Sequence, residues 1–502
     1  MRPYNRIVLA ILLLSPSPSF WSCAARAPAR PAGVVPSPDS LALLRSDLDR
    51  IFADPNFANA QWGVEILSLD RGEPIYERNS TRLYMPASNN KILTTSAALV
   101  RLGPDFRYET RVLADGPIID GTLTGNLVVV GSGDPSNAPR FQEADPLRTF
   151  RDWASHLKEK GIRRIEGDLL GDEAAFEESL LGVGWEWDDL AYGFAAPVSA
   201  LQFNENLQTI EVAPGEKEGS PVTLRILPLN TYLSVDNRVV TAAAGTEADL
   251  IVERSEGNER LLLKGTVPLK GNPLKQTVSV ESPTRFYLEA MKLVLQQEGI
   301  DVSRCSIKPV RGWNPPSLQL LWVQFSPPLA EIIKPLLKVS QNLYAETVTR
   351  TLGLRFRGEG SFARGKEVVE AALHDMSIEK GTYFYADGSG LSRRNLVTAD
   401  QLVRIFKFMY RHKYFQQFYD ALPVGGVDGT IAGRLKGTKA ENNVHGKTGS
   451  IAYVRALSGY VRTGDGEMLA FSMLANNFLV TSKMAEYVQD SVLERLANFT
   501  RK

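Results

Sequence analysis

The chain has 502 residues, and its 57 lysines and arginines are balanced by 57 aspartates and glutamates. That length gives room for two or three domains and a large buried core. The cancelled charge leaves no net field to draw the protein to nucleic acid or an anionic surface, so no nucleic-acid partner is expected. Two cysteines and four histidines exclude a disulfide framework. They also leave little for a Cys/His zinc site, and no H-E-x-x-H is present, so neither a metal nor another cofactor is expected.

Arg2 and Arg6 precede an unbroken apolar run over residues 7–14, which Pro16 and Pro18 end. A basic start and an apolar stretch too short to span a bilayer read as a secretory signal peptide over 1–24. Ser22-Cys23-Ala24 closes it at a cleavage point, with Cys23 as a lipid attachment site the alternative. Residues 25–37, rich in Ala, Pro and Arg, read as a flexible tether. The protein is therefore expected to be exported, periplasmic or associated with the cell envelope. No later stretch has the length of a transmembrane helix.

An apolar helical pattern covers 38–53, with Ser37 as its N-cap. Alternation over 62–69, a turn at Asp70-Arg71-Gly72-Glu73 and a return over 74–77 predict a strand pair. A strongly apolar helix follows over 92–100. From 107 to 283 the pattern changes to short β-runs at 108–113, 126–130, 222–227 and 260–265, with one helix at 150–160. Helices dominate after 284, over 284–298, 329–337, 342–353, 365–375 and 398–410. A strand over 451–461, a turn at Thr463-Gly464-Asp465-Gly466, a strand over 468–474 and a helix over 483–498 close the chain. Strand pairs at both ends, with helices between them, predict one sheet built from the two termini. The fold class is α/β (α+β): a catalytic domain over 38–106 and 284–502, interrupted by a mostly β insertion over 107–283.

Gly446-Lys447-Thr448 invites a nucleotide-binding reading, but the glycine a P-loop needs five positions earlier is Glu441. The residues that follow read as a strand, whereas a phosphate loop leads into a helix N-terminus. No G-x-S-x-G elbow is present. A serine nucleophile without histidine can use a lysine one helical turn away as its base. S-x-x-K occurs three times, as Ser88/Lys91, Ser155/Lys158 and Ser377/Lys380. The second pair lies in a charged helix and the third in a polar link. Only Ser88/Lys91 heads an apolar helix, where a lysine must be paired or neutral. The plain alternative for Ser88 is an N-cap.

Two further elements join it. Ser340-Gln341-Asn342 opens a helix, with a hydroxyl and a carboxamide two residues apart. Lys447-Thr448-Gly449 starts a strand, where Lys447 and Thr448 suit a carboxylate and Gly449 allows substrate backbone to approach. The order S-x-x-K, S-x-N, K-T-G resembles the penicillin-recognising acyl-serine transferases. Gly131-Ser132-Gly133-Asp134-Pro135, Gly184-Trp185-Glu186-Trp187-Asp188-Asp189, Asn204-Glu205-Asn206, Asp387-Gly388-Ser389-Gly390-Leu391-Ser392-Arg393 and Gly425-Gly426-Val427-Asp428-Gly429-Thr430 narrow the resemblance. It is to the low-molecular-mass class C penicillin-binding proteins, the S13 D-Ala-D-Ala carboxypeptidases/endopeptidases.

The resemblance implies a penicillin-binding/β-lactamase-like transpeptidase fold, an antiparallel sheet flanked by helices, with two small domains in the insertion. It implies Ser88 as nucleophile, Lys91 as its base, Ser340 as proton relay, Lys447 beside Lys91, and Asn342 on the substrate amide. Thr448 and Lys447 would receive the terminal carboxylate, and the N–H groups of Ser88 and Ser450 would form an oxyanion hole. Arg393, with Asp188 or Asp189, would bind the free end of a diaminopimelate side chain. Peptidoglycan stem peptides are the implied substrate and β-lactams the implied inhibitors. A β-lactamase-like hydrolase and a non-catalytic peptidoglycan-binding protein are the alternatives. The insertion argues against the first and the intact Ser88, Lys91 and Lys447 against the second.

Overall fold

Strands from opposite ends of the sequence pair into one antiparallel sheet. In the computed structural model, which describes residues 39–229, 232–254 and 260–501, the order across that sheet is His445–Ile451, Val454–Arg462, Met468–Asn476, Gln61–Ser68, Pro74–Arg78. The seam between the two termini runs in register from Gln61 opposite Asn476 to Ser68 opposite Leu469. The expected signal peptide, tether, Ser37 cap and Cys23 lie outside the described residues.

Alternation fixes which side of the sheet each residue serves. Val64, Ile66, Phe471 and Met473 face the helices Ser40–Phe52 and Ser482–Ala497, meeting Leu44, Leu48, Val492 and Leu496. Leu67, Ala456, Ala470 and Leu474 share the opposite core with Asn90–Leu102, Asn342–Arg357, Phe362–Asp375 and Ala399–Arg411. Each large apolar side chain so buried contributes roughly 1.5–3 kcal/mol. Among the described residues no helix is long and apolar enough to cross a membrane.

Three differences from the sequence reading concern the site. The residues expected as a single strand over 451–461 form the end of one strand and nearly all of the next, Val454–Arg462, joined at Ala452-Tyr453, where Tyr453 is left-handed at φ 63°. Lys447, Thr448 and Gly449 consequently lie inside an edge strand of their own. A short helix, Phe415–Ala421, fills a stretch with no assigned element. The third difference is at the insertion boundary expected at 283. Ile307–Val310 and Leu318–Phe325 complete a five-stranded sheet with Leu169–Asp172, Asn126–Val130 and Glu109–Asp115. The helix Pro283–Gln297 puts Phe286, Met291 and Val294 into the same core. Among the described residues, three three-stranded sheets, centred on Leu207–Ala213, Arg260–Pro268 and Thr122–Leu123, complete this part of the chain. The strands of that five-stranded sheet span Glu109 to Phe325.

The edge strand is held close to its neighbour by Gly459, where an added Cβ would fall 2.0 Å from the His445 carbonyl oxygen. Gly459→Ala is expected to push the Lys447 strand outward and to cost about 1–3 kcal/mol, the usual range for overpacking, read as a lowered urea midpoint at unchanged slope.

Candidate active site

The Ser88 end of the apolar helix is built by a tight approach of three backbones. Ser88 lies in a single 3-10 turn, Ala87–Asn89, that leads into Asn90–Leu102. Its side chain caps neither helix, so the N-cap alternative fails. Ala87 is left-handed at φ 46°, a conformation costly for a residue with a Cβ. Gly390 comes so close that a Cβ there would sit 1.9 Å from the Ala87 carbonyl oxygen. On the other side, Asn89 Nδ2 donates to the Lys447 carbonyl at 3.0 Å, fastening the turn to the edge strand. Gly449 serves this same approach: a Cβ there would lie 2.5 Å from the Pro86 carbonyl oxygen. Its missing side chain admits the Ser88 turn, where substrate backbone was expected.

Lys91 is fully buried. Its Nζ lies 2.9 Å from Ser88 Oγ, 2.6 Å from Asn342 Oδ1 and 2.7 Å from the Ser389 carbonyl oxygen. Burial holds its pKa down to about 7, against the pull of Asp387 and Glu346. A neutral lysine keeps two N–H groups. With two fixed oxygens to receive them, the nitrogen lone pair is left for Ser88. The arrangement can accept the serine proton.

Lys447, also fully buried, donates to Ser340 Oγ at 2.9 Å and to the Thr448 carbonyl at 2.8 Å. Burial, and then the nearby Lys91, depress its pKa well below the ordinary lysine value. Ser340 is left-handed at φ 63° and does not cap the helix behind it. Gln341 does, its side chain accepting from Leu343 N at 3.3 Å. Asn342, the first residue of that helix, also donates Nδ2 to the Phe194 carbonyl at 2.8 Å.

A cavity of about 570 Å³ opens over these groups, lined by Ser88, Ser340, Asn342, Thr448, Ser450 and Arg393 among others. Thr448 Oγ1 donates to Thr430 Oγ1 at 2.7 Å, and Ser450 Oγ accepts from Arg455. At the far end Arg393 donates twice to the Ala452 carbonyl, at 3.0 Å each, and its Nε is 3.4 Å from Glu186. Asp189 lines the cavity and Asp188 does not. Burial, then Glu186 and Asp188, raise the Asp189 pKa, while Arg393 opposes the rise. Glu186 was passed over in the sequence, although it stands two residues before Asp188.

The other S-x-x-K pairs are surface chemistry. Ser155 bonds back to the Arg151 carbonyl and Lys158 pairs with Glu298 at 3.6 Å, while Lys380 pairs with Glu370 at 2.9 Å. His445 stacks on Tyr419 with ring centroids 3.8 Å apart, away from the cavity lining.

The inserted region reaches into this site at three points that sequence reasoning missed. Phe194 supplies the carbonyl for Asn342. Trp185 Nε1 donates to Asp387 at 2.9 Å, steadying the loop that carries Ser389. Glu205 accepts from Gln341 Nε2 at 2.6 Å, from Tyr344 Oη at 2.9 Å and from Arg140. Glu205 is the middle of three consecutive left-handed residues, Asn204 to Asn206.

A serine and a buried lysine one turn apart, a second serine–lysine pair facing them, and an antiparallel sheet between helices define a class: the serine–lysine acyl-transfer enzymes of penicillin-binding type. Within it the chain belongs to the D-Ala-D-Ala carboxypeptidase 3 (S13) family, whose model matches residues 44–499. It is 32% identical over 486 residues to a D-alanyl-D-alanine carboxypeptidase of Actinomadura sp. (strain R39), spanning 94% of this chain and 87% of that one. To the D-alanyl-D-alanine carboxypeptidase DacB of Haemophilus influenzae it is 30% identical over 418 residues, spanning 82% and 84%. The crystal structure of penicillin-binding protein 4 from Haemophilus influenzae superposes with a TM-score of 0.78 at 28% identity, covering 90% of this chain and 97% of that one.

Of the two aspartates, Asp189 lines the cavity and Asp188 does not. Asp189→Asn is expected to raise KM for a stem peptide ending in a free diaminopimelate side chain by about tenfold, equivalent to a lost charged hydrogen bond of about 1.4 kcal/mol. Asp188→Asn leaves KM unchanged. Steady-state kinetics on the two variants side by side test this.

Proposed function

We propose that Ser88 attacks the carbonyl between two D-alanine residues of a peptidoglycan stem peptide, giving its proton to neutral Lys91 as the Oγ–C bond forms. The N–H groups of Ser88 and Ser450 stabilise the oxyanion. As the tetrahedral intermediate collapses the C–N bond breaks, and the proton held by Lys91 passes through Ser340, which Lys447 orients, to the leaving amine, so that Lys91 is neutral again. Water then hydrolyses the ester, so D-alanine and the shortened peptide are the products. Asn342 holds the substrate amide, Lys447 and Thr448 receive the terminal carboxylate, and Arg393 with Asp189 and Glu186 meets the free end of the side chain. The same attack on a cross-link is the D,D-endopeptidase form of the reaction.

The observation that carries this reading is the three-way hold on Lys91, which leaves a buried nitrogen of depressed pKa one contact away from a half-buried serine hydroxyl. As a member of its family, the chain is a serine-type D-Ala-D-Ala carboxypeptidase, a hydrolase. A β-lactam offers Ser88 a comparable amide whose leaving amine stays tethered, and the drug therefore inhibits. A related structure at 27% identity, of penicillin-binding protein 4, is a complex with a β-lactam. Peptidoglycan lies outside the cytoplasmic membrane, so the reading is of an extracytoplasmic enzyme, periplasmic or associated with the envelope.

D-alanine release from a pentapeptide stem tests the assignment. Ser88→Ala is expected to abolish it, and Lys91→Ala to slow it by about 10²–10⁴-fold, the range for a lost general base. In the wild type, Lys91 loses its proton as pH rises through about 7. The rate should therefore climb through that range and fall away below it. Undiminished release by Lys91→Ala would sink the assignment.

A further inference from the structure

Glu346 has no part in the roles above, yet it is only 1% exposed. It stands four residues beyond Asn342 on the same helix, so the two side chains share a face. Its Oε1 accepts the Ser389 N–H at 2.8 Å, and the carbonyl of that same residue takes an N–H of Lys91 at 2.7 Å. Its Oε2 has no hydrogen-bond partner and lies 3.6 Å from Arg350 Nη1. One helix thus approaches Lys91 twice: directly through Asn342, and through the Ser389 residue from Glu346.

The charged neighbours are few. Asp387, at the head of the Ser389 loop, acts on both Lys91 and Glu346. Arg350, on the helix of Glu346, shares its charge with Glu177 of the inserted region at 3.4 Å. Lys447 lies beyond Lys91 on the edge strand, and the buried Tyr385 hydroxyl also faces Glu346. Burial, then Asp387, push Glu346 up to about 7 against Arg350. Glu346 in turn acts on Lys91, raising its pKa against burial. A lysine stripped of nearby negative charge would ionise still less readily, and a weaker base draws less on the serine proton.

We propose that Glu346 is a positioning residue for acylation: it aims the Ser389 carbonyl at Lys91, and its negative charge keeps Lys91 basic enough to take the Ser88 proton. The proposal rests on Lys91 being the base of Ser88.

The test is the pH profile of the second-order rate of acylation by benzylpenicillin, followed by intact mass, for wild type, Glu346→Gln and Glu346→Asp. Glutamine retains an acceptor for the Ser389 N–H but removes the charge. Its acid limb should lie lower by roughly one pH unit, the lower end of what a nearby opposite charge does to a titrating group. Aspartate keeps the charge and shortens the reach, so its limb should stay at the wild-type pH while the plateau falls. A Glu346→Gln limb coincident with a clear wild-type limb overturns the Glu346 proposal and leaves the Lys91 assignment standing. A wild-type profile with no acid limb overturns both. Should the glutamine variant not fold, the aspartate variant decides alone, because a limb displaced there by a full unit also overturns the proposal.

Discussion

Two lysines buried within one cleft constrain what surrounds them. An ammonium removed from water without partners is prohibitively unfavourable, so Lys91 and Lys447 must each be solvated by protein oxygens or give up a proton. The structure does both. Lys91 meets the oxygens of Ser88, Asn342 and Ser389, Lys447 those of Ser340 and Thr448, and burial lowers both pKa values. The five oxygens sit on four pieces of chain: a 3-10 turn, a helix start that carries both Ser340 and Asn342, a loop and a strand. These pieces stay in register because glycines let their backbones nearly touch, Gly390 against Ala87 and Gly449 against Pro86.

The inserted region is part of that arrangement. Its Phe194 carbonyl orients Asn342, its Trp185 indole steadies Asp387, and Glu205 grips Gln341 between Ser340 and Asn342. The three left-handed residues around Glu205 are a local strain that pairing with Arg140, Gln341 and Tyr344 offsets. With Glu186 and Asp189 lining the cavity, this region both fastens the Ser340–Asn342 segment and forms part of the cavity wall.

Much of this was legible because the chemistry is written at short range. Ser88 and Lys91 are one helical turn apart, and an apolar helix cannot hide a lysine without reason. Ser340 and Asn342, and Lys447 and Thr448, are near neighbours in the chain. The partners that lie 136 and 148 residues away, Glu205 for Gln341 and Phe194 for Asn342, left no such trace. Glu186 could not be told from Asp188 and Asp189, since only tertiary packing decides which acid of a charged loop meets Arg393. The helix Pro283–Gln297 has an ordinary amphipathic pattern, which does not say whose core it enters. The strand His445–Ile451 was obscured by its glycines and polar residues, because its order comes from pairing with Val454–Arg462 and little from its own propensity.

Intact-protein mass after brief exposure to benzylpenicillin, with wild type and Ser88→Ala side by side, tests the central claim most directly. Acyl transfer to Ser88 predicts a wild-type adduct of one drug molecule that the variant lacks entirely. An adduct that persists in Ser88→Ala, or a wild type that leaves the drug intact and stays unmodified, would contradict it.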